Sequence, residues 1–98
     1  MSGQFRLTVV AQADFDGIGD YTFETWGEEQ ADKYLAQLDK TFVMLAQTPG
    51  IGKARNDLGA NMKSCPCGSH IIFFRRDAHG DVEILRILHE RMDFARHL

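Results

Sequence analysis

A chain of 98 residues holds one domain, since single cores occupy roughly 50–200 residues, and the expectation is a single domain over residues 1–98. Hydrophobic residues make up 44% and charged residues 26%, with two prolines, which excludes a disordered or fibrous chain. The net charge of −3 excludes a uniformly basic nucleic-acid binder but is unevenly spread: residues 1–52 carry three basic side chains against eight acids, residues 53–98 eight against six.

The first predicted element is Phe5-Arg6-Leu7-Thr8-Val9-Val10, whose β-branched, alternating character predicts a strand. Residues 11–26 follow as a helix. Phe15, Ile18, Thr22 and Thr25 recur on one face, and Asp14 and Asp16 are expected near the positive helix start as solvated residues. Gly17 and Gly19 weaken this helix by about 1 kcal/mol each relative to alanine. Gly27 stops it, and Glu28 opens the next. Ala31, Leu35, Leu38, Phe42 and Leu45 repeat at spacings of four and three, a continuous apolar stripe through a second helix. Pro49-Gly50-Ile51-Gly52 ends it, and two helices joined so tightly lie antiparallel as a hairpin.

The remainder predicts strands. Residues 62–67 form one, Gly68-Ser69 a turn, residues 70–76 a second, Asp77-Ala78-His79-Gly80-Asp81 a connection, and residues 82–89 a third. The order is β-α-α-β-β-β, an α+β fold with a helical hairpin packed on an antiparallel sheet. Residues 90–98 are a polar tail, either a short helix or an extended arm.

Chemistry is sparse. No stretch is apolar enough to span a bilayer and no basic-then-apolar leader occurs, so the expected address is the cytoplasm, away from membranes. Cys65 and Cys67 flank Pro66 at the outer edge of disulfide reach. A metal site would need four ligands, and the nearest third candidate is His70, so the pair is expected as small apolar side chains with no metal. No cofactor motif is present, and Ser64 and Ser69 lie near His70 without a triad frame. Candidates for chemistry therefore come from the basic carboxyl half: Lys63, His70, Arg75, Arg76, Arg86, His89, Arg91, Arg96 and His97. Lys63, Arg75 and Arg76 are expected as solvated strand residues. Arg86 shares strand parity with Val82, Ile84 and Leu88, so it needs a carboxylate or carbonyl partner beside the core.

Four segments in order carry a resemblance. They are Ala31-Asp32-Lys33-Tyr34-Leu35 running to Phe42 and Leu45-Ala46, then Pro49-Gly50-Ile51-Gly52-Lys53-Ala54-Arg55-Asn56-Asp57-Leu58, then Gly68-Ser69-His70-Ile71-Ile72-Phe73-Phe74-Arg75, and finally Arg86-Ile87-Leu88-His89-Glu90-Arg91-Met92-Asp93. From Leu7 onward the chain resembles the ParE-like toxins of the RelE/ParE superfamily. The resemblance implies a compact β-α-α-β-β-β fold and a toxin that inhibits DNA gyrase with no catalytic residues assigned. It also implies a hetero-oligomer with a ParD-like antitoxin and no sequence-specific contact with nucleic acid.

The alternative on the same fold is a RelE-type, ribosome-dependent mRNA endonuclease. Lys63 and Arg91 match basic positions of that pattern, and His97 falls near its terminal acid/base. His70 stands where the pattern prefers arginine, and no tyrosine follows Tyr34. In-line cleavage needs a base, an acid and cations on the phosphate, which this chain supplies thinly. A binding-only degenerate toxin is a third reading. The gyrase reading assigns target contact to His89, Arg91, Met92, Phe94, Arg96 and Leu98, a mixture suited to a protein interface. Antitoxin contact falls to Phe23, Trp26 and Tyr34, which lie off the main stripes, and to Lys53 and Arg55.

Overall fold

Thr8 divides the first predicted element in two. In the computed structural model, which describes residues 4–48 and 50–98, strand β1 covers only Phe5–Leu7, and helix α1 runs over Val9–Trp26. Thr8 is extended, and its Oγ1 accepts from the Ala11 N–H at 3.0 Å while donating to the Leu85 carbonyl at 3.1 Å. A hydroxyl at the N-cap satisfies an otherwise orphaned donor, and that outweighs the β preference of Val9 and Val10. Both valines are helical and exposed, a correction to the strand predicted over residues 5–10. The same shift carries Asp14 and Asp16 beyond the first turn, which holds no acid.

Gly27, at φ 93°, separates α1 from α2 (Glu28–Gln47), and the two pack as the expected hairpin. Gly19 has a packing reason: a Cβ there would lie 3.0 Å from Leu35 Cδ1, so its bare backbone lets the helices approach. The stripe holds at Ala31, Leu38, Phe42 and Leu45, all buried, while Leu35 is half-buried over α1. Of the predicted stop signal, Pro49 lies outside the described residues, and Gly50 and Gly52 adopt positive φ. The C-terminal turn of α2 contains no cation of its own. Arg76 supplies one from the sheet, donating through Nη2 to the carbonyls of Leu45 and Thr48 at 2.7 and 2.9 Å. Arg76 is therefore a helix cap rather than the solvated strand residue expected.

Among the described residues five strands form one sheet in the order β1-β5-β4-β3-β2, with β2 Lys53–Ala54, β3 Lys63–Cys67, β4 His70–Arg76 and β5 Val82–His89. The predicted antiparallel meander is β3-β4-β5. To it the structure adds β2, too short for any periodicity to show, and β1, which joins β5 in parallel. The sheet is consequently mixed. A short helix α3 covers Phe94–His97 within the tail. No helix of the described residues is long and apolar enough to cross a membrane.

Cross-strand partners share a face, which sorts the sheet into two surfaces. Val82, Ile84, Ile87, Phe74 and Ile72 face the helices and close the core with Ala11, Ile18, Leu38, Phe42 and Leu45. Phe42 sits at its centre, 5.5 Å from the Phe5 ring and 6.1 Å from Phe15. Between Phe73 and Phe74 the β4–β5 register slips: Phe74 opposes Ile84, yet Phe73 opposes Arg86. Leu85 is the extra residue of this bulge. The bulge reverses the parity of β5, so Arg86 and Leu88 lie on the face opposite Ile84. That corrects the expectation that Arg86 shares a face with Val82 and Ile84.

Candidate functional site

The end of the helical hairpin and the far ends of β4 and β5 enclose a groove of about 590 Å³. It is lined by Tyr21, Thr22, Trp26, Gln30, Tyr34, Ser69, His70 and His89. Tyr34 organises its floor. Its Oη lies 2.6 Å from His70 Nδ1 and 3.2 Å from the Cys67 carbonyl, and it accepts from the Ser69 N–H at 3.1 Å. The hydroxyl has one proton to give, so donation to the Cys67 carbonyl requires the proton of His70 to sit on Nδ1. The turn at Gly68 makes this contact possible: at φ 59° it presses so close to Tyr34 that a Cβ would fall 2.5 Å from Cε1 of the ring.

His70 stands edge-on to His89, with centroids 5.4 Å apart. Burial lowers the His70 pKa, the neighbouring His89 lowers it further, and Glu90 and Asp14 oppose the shift. Burial raises the Tyr34 pKa, and the Ser69 N–H bonds act against it. Both shifts favour the uncharged forms of Tyr34 and His70. The rim of the groove is aromatic and open, with Tyr21 68% and Trp26 71% exposed. Cys65 and Cys67 are free; burial raises the Cys65 pKa and keeps that thiol protonated.

The opposite face of the sheet is built differently. Phe73 is fully buried there under the Phe94 ring of α3, with centroids 5.0 Å apart. The Arg55 guanidinium lies 5.9 and 5.8 Å from the two ring centroids and forks onto Asp57 at 3.1 Å through both nitrogens. Arg91, Met92, Arg96 and Leu98 project from the tail into solvent.

The candidates from sequence are thus divided among places. Trp26 and Tyr34 meet in the groove, and His89, assigned by sequence to the end of the third strand and to target contact, joins them there. Phe23 is exposed on α1 but does not line the groove. Lys53 lies on the edge strand β2, and Arg55 is committed to Asp57 and the two rings. The nuclease set does not share one place on the sheet, because Lys63 stands apart from His70. Lys63 pairs with Phe74 and His70 with Cys67, four residues further along the same ladder, roughly 13 Å at strand spacing. Arg91 and His97 belong to the tail, which lies against the other face through Phe94, although the Arg91 N–H reaches His89 Nδ1 at 3.2 Å, beside His70.

Sequence reasoning missed Tyr21, Gln30 and Asp14. Tyr21 and Gln30 gave no signal of their own. Asp14 was expected to be solvated, yet it is half-buried and receives the Arg86 fork at 2.7 and 3.0 Å. The need of Arg86 for a carboxylate was visible in the sequence. Which carboxylate was not, because 72 positions separate the two.

A family model described as the ParE toxin of type II toxin–antitoxin systems matches residues 5–94. The chain belongs to the ParE toxin family. It is 36% identical to Toxin ParE1 of Mycobacterium tuberculosis over 98 residues, the whole of both chains. It is 40% identical to Toxin ParE1 of Caulobacter vibrioides over 94 residues, 96% of each. Among solved structures, a chain of the chromosomal ParDE toxin–antitoxin system from P. aeruginosa superposes with a TM-score of 0.76 at 23% identity, covering 90% of this chain and 96% of that one. A chain of the RelBE2 toxin–antitoxin complex from Mycobacterium tuberculosis gives 0.65 at 25% identity, covering 92% and 100%. The β-α-α-β-β-β fold expected from the sequence is therefore the one present, and both solved neighbours share it.

Proposed function

We propose that this ParE-family toxin inhibits DNA gyrase from the cytoplasm and is neutralised by a ParD-like antitoxin. The observation that carries the first half is the separation of Lys63 from His70 along the sheet, set against a tail that displays Arg91, Met92, Arg96 and Leu98 to solvent. A nuclease needs its acid, base and cations around one phosphate. A protein inhibitor needs only an exposed surface with arginine and apolar anchors. Antitoxin contact is assigned to the groove, where Trp26 and the added Tyr21 offer an aromatic rim over the floor that Tyr34 organises, with Phe23 exposed on the same helix. An amphipathic helix or extended segment finds there the apolar contacts such recognition uses.

The test is inducible expression in a bacterium without the antitoxin. Accumulation of cleaved gyrase–DNA complexes is the expected readout. His97→Ala should remain toxic, whereas deletion of residues 92–98 should abolish toxicity while the chain still binds the product of the neighbouring antitoxin gene. Cleaved messenger RNA in the wild type, lost by about 10²–10⁴ in His97→Ala, would overturn the gyrase reading in favour of the nuclease.

A further inference from the structure

Arg86 joins three parts of the chain that lie far apart in sequence. Its Nε and Nη2 donate to Oδ2 and Oδ1 of Asp14 on α1, at 2.7 and 3.0 Å, and its Nη1 donates to the carbonyl of His97 in α3 at 2.6 Å. Asp14 also accepts from the Ile87 N–H at 3.0 Å, so three donors from β5 fix the carboxylate. The pair is largely withdrawn from solvent, with side chains 21% and 15% exposed. A charge-assisted fork under these conditions is short and strongly directional.

The tail has little else to hold it. Glu90 N–H reaches the Ser69 carbonyl at 2.9 Å, Arg91 N–H reaches His89 Nδ1 at 3.2 Å, and the Phe94 ring rests on Phe73 beside the Arg55 guanidinium. The remaining backbone bonds of the tail are local, from Met92 to His89 and from Arg96 to Asp93. A helix of four residues lacks the length to sustain itself, so its position is imposed from outside. Residues 90–93 and 95–98 are exposed. Among the described residues Arg86 is the side chain that ties the end of this segment to the body of the fold.

We propose that Arg86, oriented by Asp14, is a positioning residue that holds Arg91, Met92, Arg96 and Leu98 in the arrangement that engages the toxin's target. The proposal rests on the reading of the tail as the target-contacting surface. Lysine does not replace this arginine, because one ammonium cannot fork onto Asp14 and reach the His97 carbonyl together. The bulge at Leu85 is part of the device. It turns Arg86 away from the parity of Ile84 and toward the edge where both partners lie.

The test compares three full-length chains: wild type, Arg86→Lys, and the double variant Asp14→Arg with Arg86→Asp. Arg91 and Arg96 are tryptic sites within the tail, and cleavage there, followed by mass spectrometry, reports its docking. Cleavage should be about tenfold faster in both variants. Toxicity on induction should fall by at least the same factor, while binding of the antitoxin is retained. The exchanged pair restores opposite charges between α1 and β5 but leaves the His97 carbonyl without its donor and the Ile87 N–H without its acceptor. When its thermal stability matches that of the wild type, a role confined to holding the fold predicts wild-type toxicity for that variant, and tail positioning predicts its loss. Should the exchanged pair be less stable or fail to melt cooperatively, Arg86→Lys, which keeps a cation beside Asp14, decides alone. Wild-type cleavage rates in Arg86→Lys would overturn the anchoring itself. Faster cleavage with undiminished toxicity would instead overturn the tail as the target-contacting surface and leave the anchoring intact.

Discussion

The two faces of the sheet are sealed in different ways. On one, the hairpin presses a continuous set of side chains around Phe42 into Ile72, Phe74, Val82, Ile84 and Ile87. On the other, one aromatic ring from a four-residue helix and one guanidinium cover Phe73. The first cover is thick, redundant and carried by helices of 18 and 20 residues. The second is thin and depends on a few contacts. Stability concentrates on the helix side, while elements drawn from the low-stability end are those free to serve recognition.

The contrast can be broken in several places. Phe42→Ala should be the costliest single change, about 3–5 kcal/mol in urea unfolding, because its void is enclosed on every side. Gly68→Ala should follow at about 1–3 kcal/mol, since a side chain at φ 59° is strained and would meet the Tyr34 ring. Its effect should appear as loss of the Tyr34–His70 contact in spectra of the imidazole. Phe94→Ala should cost only about 0.5–1.5 kcal/mol beyond its area, yet reduce toxicity strongly. If it destabilised the chain as much as Phe42→Ala, the distinction between the two faces would be lost. Trp26→Ala should change stability by less than about 0.5 kcal/mol, because the ring is 71% exposed. It should nonetheless weaken antitoxin binding at least about tenfold, as loss of an aromatic anchor does.

The smallest effect concerns pH. The lowered pKa of His70 means that the unfolded chain takes up its proton before the folded chain does. Stability should therefore be full above the ordinary histidine value of about 6.5 and decline as pH falls below it. His70→Gln should flatten that decline in thermal melts between about pH 7.5 and 5.5. A steeper decline in the variant would show that His70 is not the group responsible.

The long-period signals of the sequence carried over well. The stripe from Ala31 to Leu45 needs only the helical repeat to be visible, and the meander needs only alternation and turn residues. What escaped was set by single polar contacts. One hydroxyl at Thr8 converts Val9 and Val10 from strand to helix. One inserted residue, Leu85, reverses the facing of Arg86. The two-residue strand β2 is too short for any period, and the parallel docking of β1 depends on a partner 77 positions away. Of the site, Trp26 and Tyr34 were legible as aromatics off the main stripes. Tyr21 and the turning of His89 into the groove depend on how the hairpin meets the ends of β4 and β5.

That parallel pairing also orders events in time. Contacts within the hairpin and within the meander are local, whereas β1 waits for β5 to exist before it has anything to pair with. Closing so long a loop is late and slow relative to helix and hairpin formation. During synthesis residues 5–7 emerge early and remain without a strand partner until residues 82–84 have followed them, a window in which a chaperone or a stray strand competes for the segment. The slowest refolding phase should accordingly be the docking of β1. A chain whose synthesis halts before Val82 has no strand to receive it, so the sheet is completed only once its last strand has been made.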